Sequence, residues 1–261
     1  APAMCLVDGD NAVGPVVGMR ALEAAMQCAR QCGVGVALAR GSNHFGPISP
    51  YGLIAAEAGF ASIIGSNATT TIAPWGGSDA RLGNSPIGFG VPNPGGDPFL
   101  LDMAMSVVAR AKIRSALKQG KAIPDTWATD AKGQPTTDPA AALDGFLLPI
   151  GGHKGYGLAL MVDLFAGLLS DAAYLTHVKS WSEAPEEPQN LGHFFILINT
   201  QLLGSNAWLA DRMRDFAAIL HDSPPSDPKQ PVIVPGEIEL EKMRKRQREG
   251  LVLDATTHGL L

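Results

Sequence analysis

Cysteine is scarce in this sequence: Cys5, Cys28 and Cys32 are all it has. An odd count excludes a complete disulfide framework. Cys28 and Cys32, on one face of an expected helix, supply only two of the four ligands a structural zinc site uses. The thiols read as reduced and partly buried in a cytoplasmic protein, with no metal site. Basic excess is lacking too. The net charge of −5 leaves no electrostatic footprint for nucleic acid. The one basic cluster, Lys242 to Arg248, is interleaved with Met243 and Gln247 and reads as a solvated helix face. No apolar run reaches membrane-spanning length, since Asp163 and Gly167 break the longest one, Leu158 to Leu169. The opening residues carry no signal-peptide pattern.

What is present is the composition of a globular enzyme, 46% hydrophobic and only 17% charged, which excludes a disordered chain. Met4 to Gly9 reads as a strand and turn already under way. Met19, Leu22, Met26 and Ala29 share one face of a helix over 18–31, which Gly33 ends. Val34 to Ala39 is a buried strand, and the polar loop Gly41-Ser42-Asn43-His44-Phe45-Gly46 comes after it. The pattern then repeats: a helix over 51–58, a strand over 60–64, and the polar Gly65-Ser66-Asn67. Two helix–strand–loop units in succession indicate a layered α/β fold with ligand loops past the strand ends.

Downstream, strands are expected around Ile87 to Val91, over 99–103 and over 194–198. Helices are expected over 107–119, 158–170, 208–220 and 240–249. The stretch 123–149 reads as mostly loop, 183–190 as an exposed acidic excursion, and 224–231 as a linker.

Chemistry concentrates at two places. His44, in a glycine-flanked loop past a strand, is the best acid/base candidate, because imidazole titrates near neutrality. The run Gly151 to Gly157 resembles an anion cradle, with backbone amides, a helix start just after them and the charge of Lys154. As pure pattern it reads first as a tight strand-to-helix turn. It is neither Walker A nor a Rossmann fingerprint, and Gly88-Phe89-Gly90 lacks the third glycine of the latter. Asp102, at a strand end, could orient a ribose hydroxyl or a histidine. Thr136-Thr137-Asp138-Pro139 reads as a turn or helix cap. His153, His177, His193, His221 and His258 have no partner at metal-ligand spacing and read as structural.

Seven motifs taken together say more. Ser42-Asn43-His44-Phe45-Gly46, Ala73-Pro74-Trp75-Gly76-Gly77, Leu101-Asp102-Met103-Ala104, Pro124-Asp125-Thr126-Trp127-Ala128, Pro135-Thr136-Thr137-Asp138-Pro139, Lys154-Gly155-Tyr156-Gly157-Leu158 and Pro235-Gly236-Glu237 occur in this order. Order and spacing resemble the type 2 malate/L-lactate dehydrogenase family, with its ureidoglycolate and sulfolactate dehydrogenases, over essentially the whole chain.

The resemblance implies a non-Rossmann α/β fold built on a layered mixed sheet. It implies a homodimer that moves a hydride between NAD or NADP and a small 2-hydroxy or 2-oxo acid. It matches His44 to the proton acceptor of ureidoglycolate dehydrogenases, although some members give the acid/base role to a histidine of an upstream Ser-His-Gly motif, and it maps cofactor contacts onto Ile48, Ala68, Asp102, Met103, Ala104, Lys154, Gly236, Glu237 and Ile238. The chain reads as one family domain over 1–261, with about 77–149 a candidate inserted subdomain.

Departures from the family pattern are few. Its Gly-Thr-Asn-Pro is here Gly83-Asn84-Ser85-Pro86, and a threonine after Asp102-Met103-Ala104 is replaced by Met105. Family members also carry an upstream segment with a Ser-His-Gly motif and a substrate arginine, which this sequence reads as lacking. Arg40, Arg81 and Arg110 match no substrate motif of the family. The alternative expectation is therefore a silent nucleotide-binding paralogue or partner subunit. A phosphate-binding transferase would want a carboxylate cluster for metal, and the sequence offers none.

Overall fold

The computed structural model describes residues 1–181, 184–252 and 259. Glu183 and His258 lie outside the described residues. The chain opens with strand β1 (Met4–Asp8), helix α1 (Gly14–Cys32) and strand β2 (Val34–Ser42). β1 and β2 pair in parallel, Met4 opposite Val36 and Asp8 opposite Arg40, which requires a crossover between them. α1 is that crossover. It buries Val17, Ala21, Leu22, Ala25 and Ala29, a stripe spaced by three and four residues. Its start precedes residue 18 because Pro15 pre-sets the first turn.

The expected repeat comes next as α2 (Ser49–Glu57) and β3 (Phe60–Ser66). A short hairpin, β4 (Thr70–Ile72) and β5 (Leu82–Gly83), precedes β6 (Ile87–Val91) and β7 (Phe99–Met103). Then come α3 (Arg110–Lys118), α4 (Pro139–Asp144) and α5 (His153–Asp163), which runs into a π-helical turn at Leu164–Leu168. Strand β8 (Leu191–Asn199), α6 (Asn206–His221) and α7 (Glu237–Glu249) complete the described order.

Six strands form one sheet in the order β1-β2-β8-β3-β6-β7, parallel only between β1 and β2. This is the layered mixed sheet the sequence indicates. α1 and α2 cover one face around Leu22, Phe45, Ile48, Tyr51 and Phe195. α5 and its π turn cover part of the other around Ile87, Met105, Val162 and Phe194. On that second face Met4 and Leu6 stay half exposed, at 52% and 50%.

The structure refines the expectation downstream of β7. The stretch 123–149 is mostly loop, as expected, and Asp138 is the helix cap that the sequence offered: its side chain accepts the Ala140 amide at 2.9 Å and starts α4. With Ile113, Ile123, Ala128 and Leu147, α4 encloses a third small core. That core also takes in Ile72 of β4, so it is built from segments on both sides of β6 and β7, which belong to the central sheet. Also, α5 begins at His153 rather than 158, so Gly155 and Gly157 are helical rather than loop. Gly155 serves close packing there: a Cβ would stand 2.1 Å from the Ile150 carbonyl oxygen.

Antiparallel pairing with β8 brings the carboxyl ends of β2 and β3 to one end of the sheet. The end of β7 and the starts of β6 and β8 arrive there as well. The polar loops after Ser42, Ser66 and Met103 therefore meet.

Candidate active site

Register between β2 and β8 slips between Ala39 and Ser42. Such a bulge bends the strand end and re-aims the loop beyond it. Gly41 N donates to Asn190 Oδ1 at 2.9 Å inside it. Asn43 Nδ2 then donates to the Ala12 carbonyl at 3.0 Å, and His44 N to Gln189 Oε1 at 3.2 Å. The His44 backbone is thus held on both sides, with its side chain exposed. Gly46 N donates to His44 Nδ1 at 3.3 Å, which places the proton of the neutral ring on Nε2.

Behind His44 the next residue is anchored firmly. The Phe45 ring is stacked on His193, centroids 4.1 Å apart, and on Tyr51 at 5.0 Å. Tyr51 Oη donates to the Phe45 carbonyl at 2.7 Å. Burial pushes the Tyr51 phenol up to about 12, so it remains a donor across the working range of proteins.

A cavity of about 450 Å³ opens in front of His44. Asn67, Ala68, Asn84, Arg110 and Arg114 share its lining. Arg110 also donates to the Leu143 carbonyl, which ties α3 to α4 beside the cavity. Thr71, another lining residue, keeps a buried Oγ1 without a hydrogen-bond partner, and the Oγ of Ser85, which follows the lining residue Asn84, is likewise unpaired.

On the other side of the same loop lies a second cavity of about 460 Å³, lined by Pro47, Ser49, Asp102, Val234, Gly236 and Ile238. Asp102 Oδ2 accepts from Ile48 N at 2.7 Å, Ser49 N at 2.9 Å and Ser49 Oγ at 3.2 Å. It satisfies the first amides of α2 and places negative charge at that helix's positive end. Gly236 opens α7 with φ 103°, and a Cβ there would stand 3.0 Å from the Leu100 backbone. A side chain there would be strained by the positive φ and crowded against Leu100, which is why glycine suits the position.

The structure thus gathers Asp102, Gly236 and Ile238 at one cavity, with Ile48 buried beneath, and His44 with Ala68 at the other. Met103 turns into the sheet core and Ala104 is half buried beside it. Glu237 is engaged within its own surroundings: Oε2 accepts Val234 N at 2.9 Å and Oε1 faces His221 Nε2 at 2.9 Å. Lys154 stands exposed on the first turn of α5 and lines neither cavity.

Sequence reasoning missed three participants. Arg110 and Arg114 line the His44 cavity although no motif marks them. Their signal was the spacing of four on a helix that buries only Ile113. Gln189, 4% exposed, holds the His44 backbone from a segment read only as acidic excursion. No metal-binding group of three or more His, Cys, Asp or Glu occurs among the described residues.

Comparison with known proteins agrees with this architecture. The malate/L-lactate dehydrogenase family matches residues 1–261. The chain is 41% identical to malate dehydrogenase of Pyrococcus abyssi over 77% of its own length, a match spanning 56% of that protein. It is 36% identical to L-sulfolactate dehydrogenase of Methanocaldococcus jannaschii over 100% of its length and 74% of the relative's. Malate dehydrogenase of Entamoeba histolytica superimposes with a TM-score of 0.92 at 29% identity, covering 99% of this chain and 75% of that one. Further relatives carry NAD(+) or NADP(+) in their names. This chain belongs to the malate/L-lactate dehydrogenase family.

Proposed function

We propose that the chain binds NAD or NADP together with a small 2-hydroxy or 2-oxo acid and catalyses oxidoreduction between them, with His44 moving the proton. One observation carries this reading: the loop from His44 to Ser49 forms a wall of both cavities. A dinucleotide that starts in the Asp102–Gly236 cavity and reaches past Pro47 would end beside His44.

The residues present fit such a cofactor. The close approach at Gly236 leaves backbone free of side chain beside the second cavity, and Thr71 offers an unpaired hydroxyl in the first. Asp102, Gly236 and Ile238 would hold one end of the cofactor and Ala68 the other, with Ile48, Met103, Ala104 and Glu237 supporting them from behind. Lys154 would reach it only from beyond both linings. The nicotinamide, when bound, supplies or takes the hydride.

The chain's own residues do the rest. In reduction the imidazolium form of His44 gives its Nε2 proton to the substrate oxygen and is left neutral with its proton on Nδ1; in oxidation that tautomer takes the substrate proton back at Nε2. Protonating Nδ1 to reach the imidazolium gives up only the long Gly46 contact. Arg110 and Arg114 hold the substrate carboxylate, since planar guanidinium groups pair with carboxylates bidentately. Fixing that carboxylate presents the adjacent carbonyl carbon in one orientation.

We read the whole chain as one family domain, with the small core around Ile72, Ile113 and Leu147 as a subdomain. The half-exposed apolar residues on the second sheet face, Met4 and Leu6 among them, support a homodimer. Among the described residues no helix is long and apolar enough to cross a membrane. Three unbridged cysteines support a cytoplasmic setting.

The test is nicotinamide absorbance during incubation with a panel of 2-oxo acids, alongside calorimetry with each cofactor alone. Turnover of at least one acid is expected. Cofactor binding without turnover of any acid would replace this reading with that of a silent nucleotide-binding relative.

A further inference from the structure

His193 is the most deeply buried polar ring in the molecule's described part, at 0% exposure, yet neither hydride transfer nor cofactor binding uses it. It sits on β8, the strand between β2 and β3, and faces the α1/α2 side with Phe195 and Leu197. Opposite it in register are Ala39 on β2 and Ser66 on β3. Its two ring nitrogens reach in opposite directions. Nε2 lies 2.7 Å from Ser42 Oγ, and Nδ1 lies 2.8 Å from Ser66 Oγ. Ser42 opens the His44 loop, and Ser66 opens the Asn67–Ala68 loop on the far wall of the same cavity.

The hydrogen-bond directions are set by the second contact of each serine. Ser66 Oγ donates to the Asn67 carbonyl at 2.9 Å, so it accepts from the ring, and Nδ1 carries the proton. Nε2 then accepts from Ser42, whose alternative acceptor, the Asn43 carbonyl, is distant at 3.3 Å. A directed chain therefore runs Ser42 → His193 → Ser66 → Asn67. The neutral ring it needs is favoured by burial, which pushes the His193 pKa down to about 3. The face of the same ring supports Phe45 at 4.1 Å and 5°. The loop around His44 thus rests on His193 at two points, Ser42 by a hydrogen bond and Phe45 by stacking.

We propose that His193 is a positioning residue for the reaction, a strut that fixes the distance between the His44 loop and the opposite cavity wall from beneath. Phenylalanine would fill the space and stack, and a purely packing role would need no more. The two hydrogen bonds matter because they set the spacing of two loops that no backbone pairing joins directly. This rests on the reading of His44 as the proton-transfer group, because a strut matters only if spacing at that ring matters.

The test compares His193→Phe, Ser42→Ala and Ser66→Ala with the unsubstituted chain, well below each melting temperature. His193→Phe keeps the stack and cuts both bonds, while each serine variant cuts one. A displaced reacting group can cost up to roughly a hundredfold, so kcat should fall roughly ten- to hundredfold in His193→Phe and less in each serine variant. Cofactor Kd should change far less than kcat, because the Asp102–Gly236 cavity, which would hold one end of the cofactor, does not contact the strut and only the Ala68 end lies on a loop that it positions. Unchanged kcat per cofactor-binding site, whatever the melting temperature does, would overturn the proposal.

If His193→Phe does not fold, the two serine variants decide by the same criterion. If the unsubstituted chain turns over no 2-oxo acid, the functional reading fails on its own, and NMR of the His44 ring decides the strut. One sharp His44 ring resonance in the unsubstituted chain, broadened by exchange in both serine variants, supports it. Equally sharp resonances in all three overturn it.

Discussion

Asp102 Oδ2 stands 2.7 Å from the amide of Ile48, so two residues expected to touch the cofactor first touch each other. The carboxylate is a helix cap as well as a cavity wall, accepting from Ser49 N and Oγ in the same contact. This couples cofactor affinity to the stability of α2. Asp102→Ala should cost about 1–2 kcal/mol of folding stability, the usual worth of a cap, and should weaken cofactor binding as well. Denaturant titration and calorimetry read the two effects separately. Asp102→Asn, which keeps an acceptor oxygen, should recover most of the stability. Equal stability of the alanine variant and the unsubstituted chain would show that the cap carries no load.

His44→Ala should lower kcat by about 10²–10⁴-fold, the range for a general acid or base, with cofactor Kd little changed. The basis is its place at the cavity mouth, with Nε2 bearing the proton. Near-normal turnover would assign the proton transfer to water or to another group.

Arg114→Ala isolates the carboxylate anchor better than the same change at Arg110. Arg110 also bonds the Leu143 carbonyl, so its removal disturbs packing between α3 and α4 as well. A hydrogen bond to a charged group is worth about 1.5–3 kcal/mol, so kcat/KM for 2-oxo acids should fall roughly 10- to 100-fold. The loss should appear mainly in KM, and Arg114→Lys should restore only part of it. An unchanged kcat/KM places the anchor elsewhere.

The fold was legible wherever periodicity spoke. The α1 stripe and the alternation in β6 each mark an element that the structure contains. The start of α5 was not legible, since Gly155 and Gly157 read locally as loop residues. Only tertiary packing against Ile150 shows why a helix needs a glycine there. The site divides in the same way. Motif order led to His44, Asp102 and Gly236. Arg110, Gln189 and the role of His193 depend on which strand ends meet, and that is a property of sheet order rather than of local sequence. His193 in particular reads as one more structural histidine until β8 is known to lie between β2 and β3.

The buried histidine also makes acid stability a measurable consequence of the design. His193 has a folded pKa near 3 against about 6.5 when unfolded, because burial disfavours its charged form, with nearby His44 a smaller cause. Below pH 6.5 the unfolded chain takes a proton that the folded chain refuses. Stability is therefore fully present above pH 6.5 and declines as pH falls toward 3. At pH 5 the unfolded ring alone draws about 2 kcal/mol from the folding free energy relative to pH 7. Urea titrations at pH 7 and pH 5 should show this loss, and it should be absent in His193→Phe, whose ring takes no proton. The phenylalanine variant thereby serves as the control for every other titrating group. The groups facing the ring, Ser42, Ser66 and Phe45, carry no charge that could offset the effect. The same loss in the phenylalanine variant would assign the acid sensitivity to a group other than His193.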